Sequence, residues 1–217
     1  MTGRRHWDVV LGSASPARLG LLRDAGVPAS VVVGDVDEEA IAADWDPADA
    51  AGLVQALADA KAEAVVARMD QVVKPTIVIT ADSMCRFDGQ LLGKPETPHT
   101  ALERLSALSG RAGHLLTGHT IVLLWPDGRR TDSHAVAATE VWFAEFDEDE
   151  LADYVATGEP LQVAGGFTLD GIAAPFIQGI SGDPSNVIGL SLPLLRRVLA
   201  DLGVYWPDLW VQPPPEH

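Results

Sequence analysis

The sequence predicts an α/β protein in which a mixed sheet forms two lobes around a central cleft. Short apolar and β-branched segments alternate with helical segments in the first half of the chain. Two long strand-like segments follow one another in the middle, which indicates antiparallel pairing. A glycine-rich stretch over residues 158–186 then precedes one last helix. Lobes joined in this way leave a cleft in which a ligand can bind.

The first half is predicted to contain three strands and two helices. The strands span residues 7–11, 30–33 and 76–80, and the helices span residues 15–25 and 46–68. Ser15 suits the N-cap of the first helix, with Pro16 in its first turn, and Asp46 and Pro47 open the second. An acidic run over residues 35–39 lies between these regular elements.

The second half is predicted to contain three helices and two long strands. The helices span residues 97–108, 147–156 and 192–202, the strands span residues 114–124 and 131–143, and a turn covers residues 89–93. We expect one domain over residues 1–205. Residues 206–217 form a tail with three consecutive prolines, and we expect Trp206 and Trp210 to pack on the body of the protein or on a second subunit.

Composition narrows the classes of function. A chain of 217 residues that is 47% apolar can bury a sizeable core, and its longest apolar stretches are far shorter than the roughly 20 residues of a membrane-spanning helix. A single cysteine, Cys85, excludes an internal disulfide and fits a reducing compartment, so we expect a cytoplasmic protein. The formal charge of -16 opposes nucleic-acid binding. A small anionic ligand requires cations that converge locally, or a metal ion.

The segment GSASPAR over residues 12–18 is a candidate phosphate-binding turn. Its small residues let backbone amides approach a ligand, and the following helix directs its positive end at the same place. Ser13 and Arg18 are the side chains of interest. The alternative is an ordinary Ser-Pro N-cap.

Asp82 directly follows the strand over residues 76–80. That strand is apolar and β-branched, so it is predicted to be buried and to deliver Ala81, Asp82 and Ser83 at its end. A carboxylate there can deprotonate water or hold a metal ion, and the acidic run over residues 35–39 can supply a second ligand. The alternatives are a turn-forming Asp and a solvated acidic loop.

Two lysines complete the candidate set. The segment GQLLGKP over residues 89–95 is not a P-loop, because three residues separate its glycines and Pro95 stands where Ser or Thr would bind magnesium. Lys94, like Lys61 on the long helix, either binds phosphate or lies on the surface. Residues 164–171 lack dinucleotide-binding glycine spacing, and neither a histidine pair for zinc nor a Gly-x-Ser-x-Gly elbow is present in the sequence.

Taken together, eight blocks over about residues 8–200 resemble the Maf family. In chain order they are LGSASPARLGLL, VDEE, AKAEAV, ADS, LLGKP, ALERLSALSGRAGH, VAGGFTLDG and GDPSNVIGL. The family is similar in fold to the inosine triphosphate pyrophosphatases and commonly forms homodimers. The resemblance implies hydrolysis of a nucleoside triphosphate to its monophosphate and pyrophosphate.

The resemblance also implies roles for individual side chains. Asp82 would accept the proton of the attacking water, and Glu38, with Asp82, would hold a magnesium or manganese ion. The side chains placed around the phosphates are Ser13, Arg18, Lys61 and Lys94.

The resemblance to the Maf family does not assign the preferred base, because the chain matches neither of two branches of the family. At Ala17, Ser83 and Asp170 the chain departs from the Arg, Thr and Gln of the branch that prefers thymidine and uridine triphosphates. The branch of the family that acts on 7-methylguanosine triphosphate has Trp, Gln and Glu at these three positions. Of these, only the carboxylate of the Glu is approximately retained, by Asp170. An ionised Asp170 accepts hydrogen bonds without donating them, which favours a guanine-type base, unless it is a turn residue.

Two other functions remain open at this point. One is a non-catalytic nucleotide sensor that regulates division or septum formation, which the resemblance implies through the family's association with septum formation. The other is a metal-dependent phosphatase that releases orthophosphate. Ser191 replaces the proline that is usual in the family's final block, and we expect it to cap the last helix.

Overall fold

A computed structural model describes residues 7–43, 45–46 and 48–210. Within these ranges the chain forms seven strands and seven helices. The strands are β1 (Asp8–Leu11), β2 (Ser30–Val31), β3 (Thr76–Phe87), β4 (Gln90–Leu92), β5 (Ala112–Leu124), β6 (Arg130–Phe143) and β7 (Ile177–Ser181). The helices are α1 (Pro16–Asp24), α2 (Glu38–Ala43), α3 (Ala50–Arg68), α4 (Pro98–Leu108), α5 (Glu148–Ala156), α6 (Pro184–Ile188) and α7 (Leu192–Asp201).

The strands form one mixed sheet in the order β2-β1-β3-β5-β6-β7. β1 pairs in parallel with β2 and with the first third of β3, whereas β3, β5, β6 and β7 pair in antiparallel fashion. β4 pairs antiparallel with the last residues of β3. The predicted mixed α/β sheet, with an antiparallel middle, is confirmed.

Alternation along the strands divides the core of the first lobe between two faces of the sheet. On one face, strand side chains such as Leu11 and Ile79 pack with α1 and α7. On the other face, Val10, Val78 and Val122 pack against α3. Successive side chains of a strand point to opposite faces, so each strand residue can be assigned to the α1 face or to the α3 face.

β3, β5 and β6 are long enough to pass from the first lobe into the second. Their far halves pack with α4 and α5 around a separate core that includes Cys85, Leu105, Val141 and Phe143. The two cores share the sheet but occupy different ends of it. This arrangement produces the two lobes that the sequence predicts, with the cleft between them.

The helix caps follow the predictions in most places. Ser15, Thr97, Asp147 and Ser191 each accept a backbone N–H at the start of a helix, and Asp147 forms a full capping box. The prediction for the long helix was wrong, because Asp49 is the N-cap of α3.

The long helix therefore begins at Ala50 rather than at Asp46, whose carboxylate instead accepts the backbone N–H of Ala48 in the preceding turn. The predicted opening residue Pro47 lies outside the described residues. In the acidic run, Glu38 and Glu39 are not in a loop but in the first turn of α2, where the positive end of the helix favours carboxylates.

The prediction that β3 ends before Asp82 was also wrong. β3 continues to Phe87, and Asp82 lies in the middle of it, opposite Gly118 of β5. On its other edge, β3 pairs with β1 as far as Ile79 and with β4 from Cys85 onward. The edge of β3 over residues 80–84 is therefore unpaired, and this gap in the sheet lies between the lobes.

The glycine-rich stretch contains three 3-10 turns, β7 and α6, which periodicity in the sequence did not predict. At the C-terminal end, Trp206 packs against the core of the first lobe and Trp210 lies over Gly26. Residues 211–217 of the expected tail lie outside the described residues. None of the helices in the described part of the chain combines the length and the apolar character that crossing a membrane requires.

Candidate active site

The gap beside β3 opens into a cleft of about 530 Å³, within the usual size of a small-molecule site. All eight side chains proposed from the sequence line it. They are Ser13, Arg18, Glu38, Lys61, Asp82, Ser83, Lys94 and Asp170. Residues that are separated by up to 157 positions in the chain are thus brought to one place.

The unpaired edge of β3 presents its side chains to both faces of the sheet. Asp82 lies on the α3 face, and its neighbour Ser83 lies on the α1 face. The cleft is lined from both faces at once because β1 ends before this point and β4 begins after it. A ligand in the gap can therefore contact Asp82 and Ser83 together.

On the α3 face, Lys61 lies between two carboxylates. Its ammonium nitrogen is 2.5 Å from Oδ1 of Asp82 and 3.0 Å from Oε1 of Glu38. The side chains of Asp82 and Lys61 are only 10% and 17% exposed, whereas Glu38 is 52% exposed. The ion pair with Asp82 is thus shielded from solvent, and Glu38 closes the solvent side.

The position of Glu38 depends on a close contact between a loop and α3. A Cβ atom on Gly34 would lie 2.5 Å from Cβ of Ala64. Glycine therefore allows the segment after β2 to approach α3 closely, and the chain then reaches Glu38 at the start of α2. This contact explains how an acidic residue far from α3 in sequence reaches Lys61.

On the α1 face, the guanidinium of Arg18 is held by four hydrogen bonds. Nε donates to the carbonyl of Gly189 at 2.7 Å, and Nη1 donates to the carbonyl of Ala81 at 2.7 Å. Nη1 also donates to Ser13 at 3.1 Å, and Nη2 donates to Ser83 at 3.0 Å. Burial lowers the pKa of Arg18, and the nearby carboxylates of Asp82 and Glu38 oppose that effect.

A guanidinium has five N–H donors, so this network leaves one of them for a ligand. Arg18 therefore connects α1, the unpaired edge of β3 and the turn after α6. Its contacts make it an organising residue of the cleft.

Ser13 lies at the turn between β1 and α1 and is buried. Its oxygen accepts N–H donors from Ser15 at 3.2 Å and from Arg18 at 3.1 Å. Both bonds use the oxygen of Ser13 as an acceptor, so its single hydroxyl hydrogen remains available to donate to a ligand. The turn thus offers a hydroxyl and a helix N-terminus on the same side of the cleft.

A chain of hydroxyls and a buried amide lies behind Ser83 on this side of the cleft. Ser83 and Thr117 approach to 3.0 Å, and Thr117 donates to the carbonyl of Asn186 at 3.4 Å. The Asn186 amide donates to the carbonyl of Leu115 and to Thr139. We call Ser13, Arg18, Lys61, Asp82 and Ser83 the β3 wall.

The opposite side of the cleft belongs to the second lobe. Lys94 follows β4, and Phe167, Thr168 and Asp170 follow the 3-10 turns after α5. Lys94 and Asp170 are exposed, and within the described residues neither forms an ion pair. We call these four residues the outer wall.

The charges of the cleft differ from those of the rest of the molecule. Three cations and three anions line the cleft, so that its formal charge balances, whereas the whole chain carries -16. The cleft therefore lacks the excess negative charge that would repel an anionic ligand elsewhere on the molecule.

Glu38 and Asp82 were predicted to hold a metal ion, and their chemistry fits one. Within the described ranges, no group of three or more His, Cys, Asp and Glu side chains is arranged as a metal site. Magnesium commonly takes one or two carboxylates from the protein and the remaining oxygens from water and phosphate. Two carboxylates at the edge of a phosphate-sized cleft match that requirement.

His119 lies behind the β3 wall and is fully buried. The backbone N–H of Ser191 donates to its Nε2 at 2.9 Å, at the start of α7. Burial, together with the positive charge of Arg18, lowers the pKa of His119 to about 4. The imidazole is thus neutral at physiological pH and connects β5 to α7.

Several residues of the site were missed in the sequence. Thr117, Phe167 and Asn186 and the carbonyl of Gly189 carry no distinctive signal on their own, because a buried Thr or Asn looks like any core polar residue. The block GDPSNVIGL did indicate the region, but it could not show that the carbonyl of Gly189 accepts from Arg18.

Comparison with known proteins identifies the family of this chain. A family model described as Maf-like protein matches residues 8–202. A nucleoside triphosphate pyrophosphatase of Streptomyces coelicolor is 52% identical over 210 residues, which cover 97% of this chain and 98% of that relative. A protein of the same description from Saccharopolyspora erythraea is 50% identical, covering 94% and 97%.

Among solved structures, the Staphylococcus aureus Ham1 protein aligns with 90% of this chain and 99% of its own, at 13% identity and a TM-score of 0.41. That overlap is too loose to add to the assignment. The match to the family model and the identity to its relatives, both over nearly the whole chain, show that this protein belongs to the Maf-like protein family.

Proposed function

We propose that this protein is a nucleoside triphosphate pyrophosphatase, which hydrolyses its substrate to nucleoside monophosphate and pyrophosphate. The observation that carries the proposal is the position of Asp82, a shielded carboxylate paired with Lys61 in a cleft that is also lined by Arg18 and Lys94. Relatives at about 50% identity over nearly the whole chain are described by that activity.

In this proposal Asp82 accepts a proton from the water that attacks the α-phosphorus. Lys61 donates to Oδ1 of Asp82, and within the described residues Oδ2 has no hydrogen-bond partner, so it is available to the water. Holding the water in line with the leaving pyrophosphate is the main requirement of phosphoryl transfer.

The cations of the cleft would neutralise the phosphate oxygens. Lys61 and the remaining N–H of Arg18 act from the β3 wall, and Lys94 acts from the outer wall. The hydroxyl of Ser13 and the N-terminus of α1 add neutral donors. Glu38 and Asp82 would hold a magnesium or manganese ion, which supplies charge neutralisation for the phosphates.

Base recognition would fall to the outer wall, with Ser83 and Ala17 at the boundary. Asp170 is exposed in the cleft and accepts hydrogen bonds only when ionised, which supports a guanine-type base with N–H donors. We propose a homodimer in the cytoplasm, supported by the family resemblance, and no nucleic-acid partner, supported by the formal charge of -16.

The test is pyrophosphate release from a panel of ordinary and modified nucleoside triphosphates with magnesium or manganese. Replacing Asp82 by Asn keeps its shape and removes the base, so we expect Asp82→Asn to lower kcat about 100-fold or more. Asp8→Asn is the matched control, because Asp8 lies at the far end of β1 and pairs only loosely with Lys74 at 3.7 Å.

Other outcomes of this test would indicate a different function or mechanism. Tight nucleotide binding without turnover by the native chain would indicate a sensor. Release of orthophosphate in place of pyrophosphate would indicate a phosphatase that cuts another bond. Full activity in Asp82→Asn would show that Asp82 is not the proton acceptor.

A further inference from the structure

Glu159 is a carboxylate of the second lobe that lies behind the cleft rather than in it. It begins the 3-10 turn Glu159–Gln162 and does not line the cavity. Its two oxygens accept four hydrogen bonds within the described residues. The donors are Tyr154 Oη at 3.1 Å, Thr168 Oγ1 at 2.6 Å, the backbone N–H of Ile172 at 2.9 Å and that of Ala173 at 3.2 Å.

Three of these donors belong to the short segment of residues 168–173, which contains Asp170. Thr168 precedes Asp170, and Ile172 and Ala173 follow it, so the carboxylate of Glu159 fastens the segment on both sides. Asp170 itself is exposed and makes no hydrogen bond within the described residues. The position of its carboxylate in the cleft therefore depends on how its segment is held.

Close packing supports this fastening. A Cβ atom on Gly171 would lie 2.5 Å from Oε2 of Glu159 and 2.5 Å from the Thr168 hydroxyl, so only glycine lets the segment fold this tightly around the carboxylate. On the other side, Tyr154 of α5 is buried in the core of the second lobe and donates to Glu159. The segment is thus connected through Glu159 to the buried core of its lobe.

We propose that Glu159 is a positioning residue for nucleotide discrimination, which acts by holding the carboxylate of Asp170 in register with the base. This inference rests on the proposed function. A hydrogen bond weakens steeply once its length and angle leave a narrow range, so a segment released from Glu159 no longer presents Asp170 to N–H donors of a base. Asp82 and Lys61 are held by other contacts, so bond cleavage itself does not depend on Glu159.

The direct test compares kcat and KM for GTP and UTP in the native chain and in Glu159→Gln. Glutamine has the same shape, but its amide nitrogen cannot accept the N–H donors that a carboxylate oxygen accepts. We expect KM for GTP to rise about five-fold, with kcat unchanged within about two-fold, so that the ratio of kcat/KM for GTP to that for UTP falls about five-fold. Asp153→Asn, an exposed carboxylate of α5, is the control and leaves the ratio unchanged.

A double-mutant cycle separates positioning from a general structural effect. If Glu159 acts through Asp170, then Glu159→Gln has no further effect on the GTP to UTP ratio once Asp170→Asn is present. Additive effects of the two substitutions, or an equal loss of kcat for both nucleotides, would overturn the inference. A ratio of kcat/KM for GTP to that for UTP near one in the native chain would also overturn it, because the native protein would then not discriminate between the two nucleotides.

Two measurements do not depend on turnover. Hydrogen exchange at the amides of Ile172 and Ala173 is expected to speed up in Glu159→Gln but not in Asp153→Asn. Equilibrium binding of GTP and UTP in the Asp82→Asn background then measures discrimination without hydrolysis. If the native chain hydrolyses no nucleotide, the proposed function fails, whereas unchanged exchange and an unchanged binding ratio in Glu159→Gln would overturn the positioning role separately.

Discussion

The two walls of the cleft are built differently. The β3 wall is cross-linked, because Arg18 alone makes four hydrogen bonds and Lys61 pairs with two carboxylates. The outer wall presents Lys94 and Asp170 as exposed charges, and the segment that carries Asp170 is fastened from behind by Glu159. Triphosphates are alike in every nucleotide and bases are not, so the cross-linked wall suits the shared chemistry, and the exposed carboxylate of Asp170 suits recognition of the base.

The largest difference between the walls should appear when the ammonium group is removed from the β3 wall. Lys61→Met leaves Asp82 and Glu38 without their counter-charge and removes a cation from the phosphates. We expect kcat/KM to fall roughly 1,000-fold, which corresponds to about 4 kcal/mol. Steady-state kinetics of pyrophosphate release measure this loss. Lys74→Met is the control, since Lys74 lies on the surface beside Asp8, and equal losses in both variants would contradict the comparison.

Arg18→Lys tests how much the hydrogen bonds of Arg18 stabilise the β3 wall. An ammonium cannot reproduce a planar fork that bonds two carbonyls and two hydroxyls, so partners of Arg18 are left unsatisfied. We expect the free energy of unfolding to fall by about 3 kcal/mol, as measured by urea denaturation. Arg23→Lys changes the same residue type on the same helix, where Arg23 pairs with Asp24 in solvent, and it should leave the midpoint unchanged.

The stability that His119 contributes from behind the β3 wall should depend on pH. Burial and the charge of Arg18 lower the pKa of His119 to about 4, below its value of about 6.5 in an unfolded chain. Between these values the unfolded state binds a proton that the folded state does not, so stability falls as pH falls.

Between pH 7 and pH 5 the contribution of His119 to this fall is about 2 kcal/mol. His119→Gln keeps an acceptor for the Ser191 amide and removes the titration, so its unfolding free energy should change less over this range. Urea denaturation at several pH values measures the difference. The exposed His99, replaced in the same way, is the control, and parallel curves for His119→Gln and the native chain would refute the assignment.

The smallest effect is expected on the outer wall. Asp170→Asn removes the charge but keeps the shape of an exposed side chain, and it replaces one acceptor oxygen with a donor. We expect the ratio of kcat/KM for GTP to that for UTP to fall about five-fold, or about 1 kcal/mol, with stability unchanged. A loss of activity as large as that of Lys61→Met would show that the outer wall takes part in bond cleavage and would remove the contrast between the walls.

Local patterns predicted much of the fold because they act within a few residues. The caps at Ser15, Thr97 and Asp147 could be read from the sequence, since a capping side chain bonds an amide of the next turn. The start of α3 could not, because Asp46 and Asp49 are both acceptable caps and the packing of Ala50 decides between them. The three 3-10 turns, β7 and α6, between residues 159 and 188, were missed because such short elements carry no clear periodicity, whereas α7 after them was predicted.

The sequence by itself determined the α/β class, the continuous apolar run that buries the start of β3, and the identity of the side chains that meet in the cleft. Tertiary structure decided how they meet. Asp82 is accessible in the middle of a strand because β1 stops pairing at Ile79 and β4 starts at Cys85, and neither limit is visible near Asp82 in the chain. Whether a strand edge is paired depends on segments that are distant in sequence, so the gap that forms the site exists only in the folded protein.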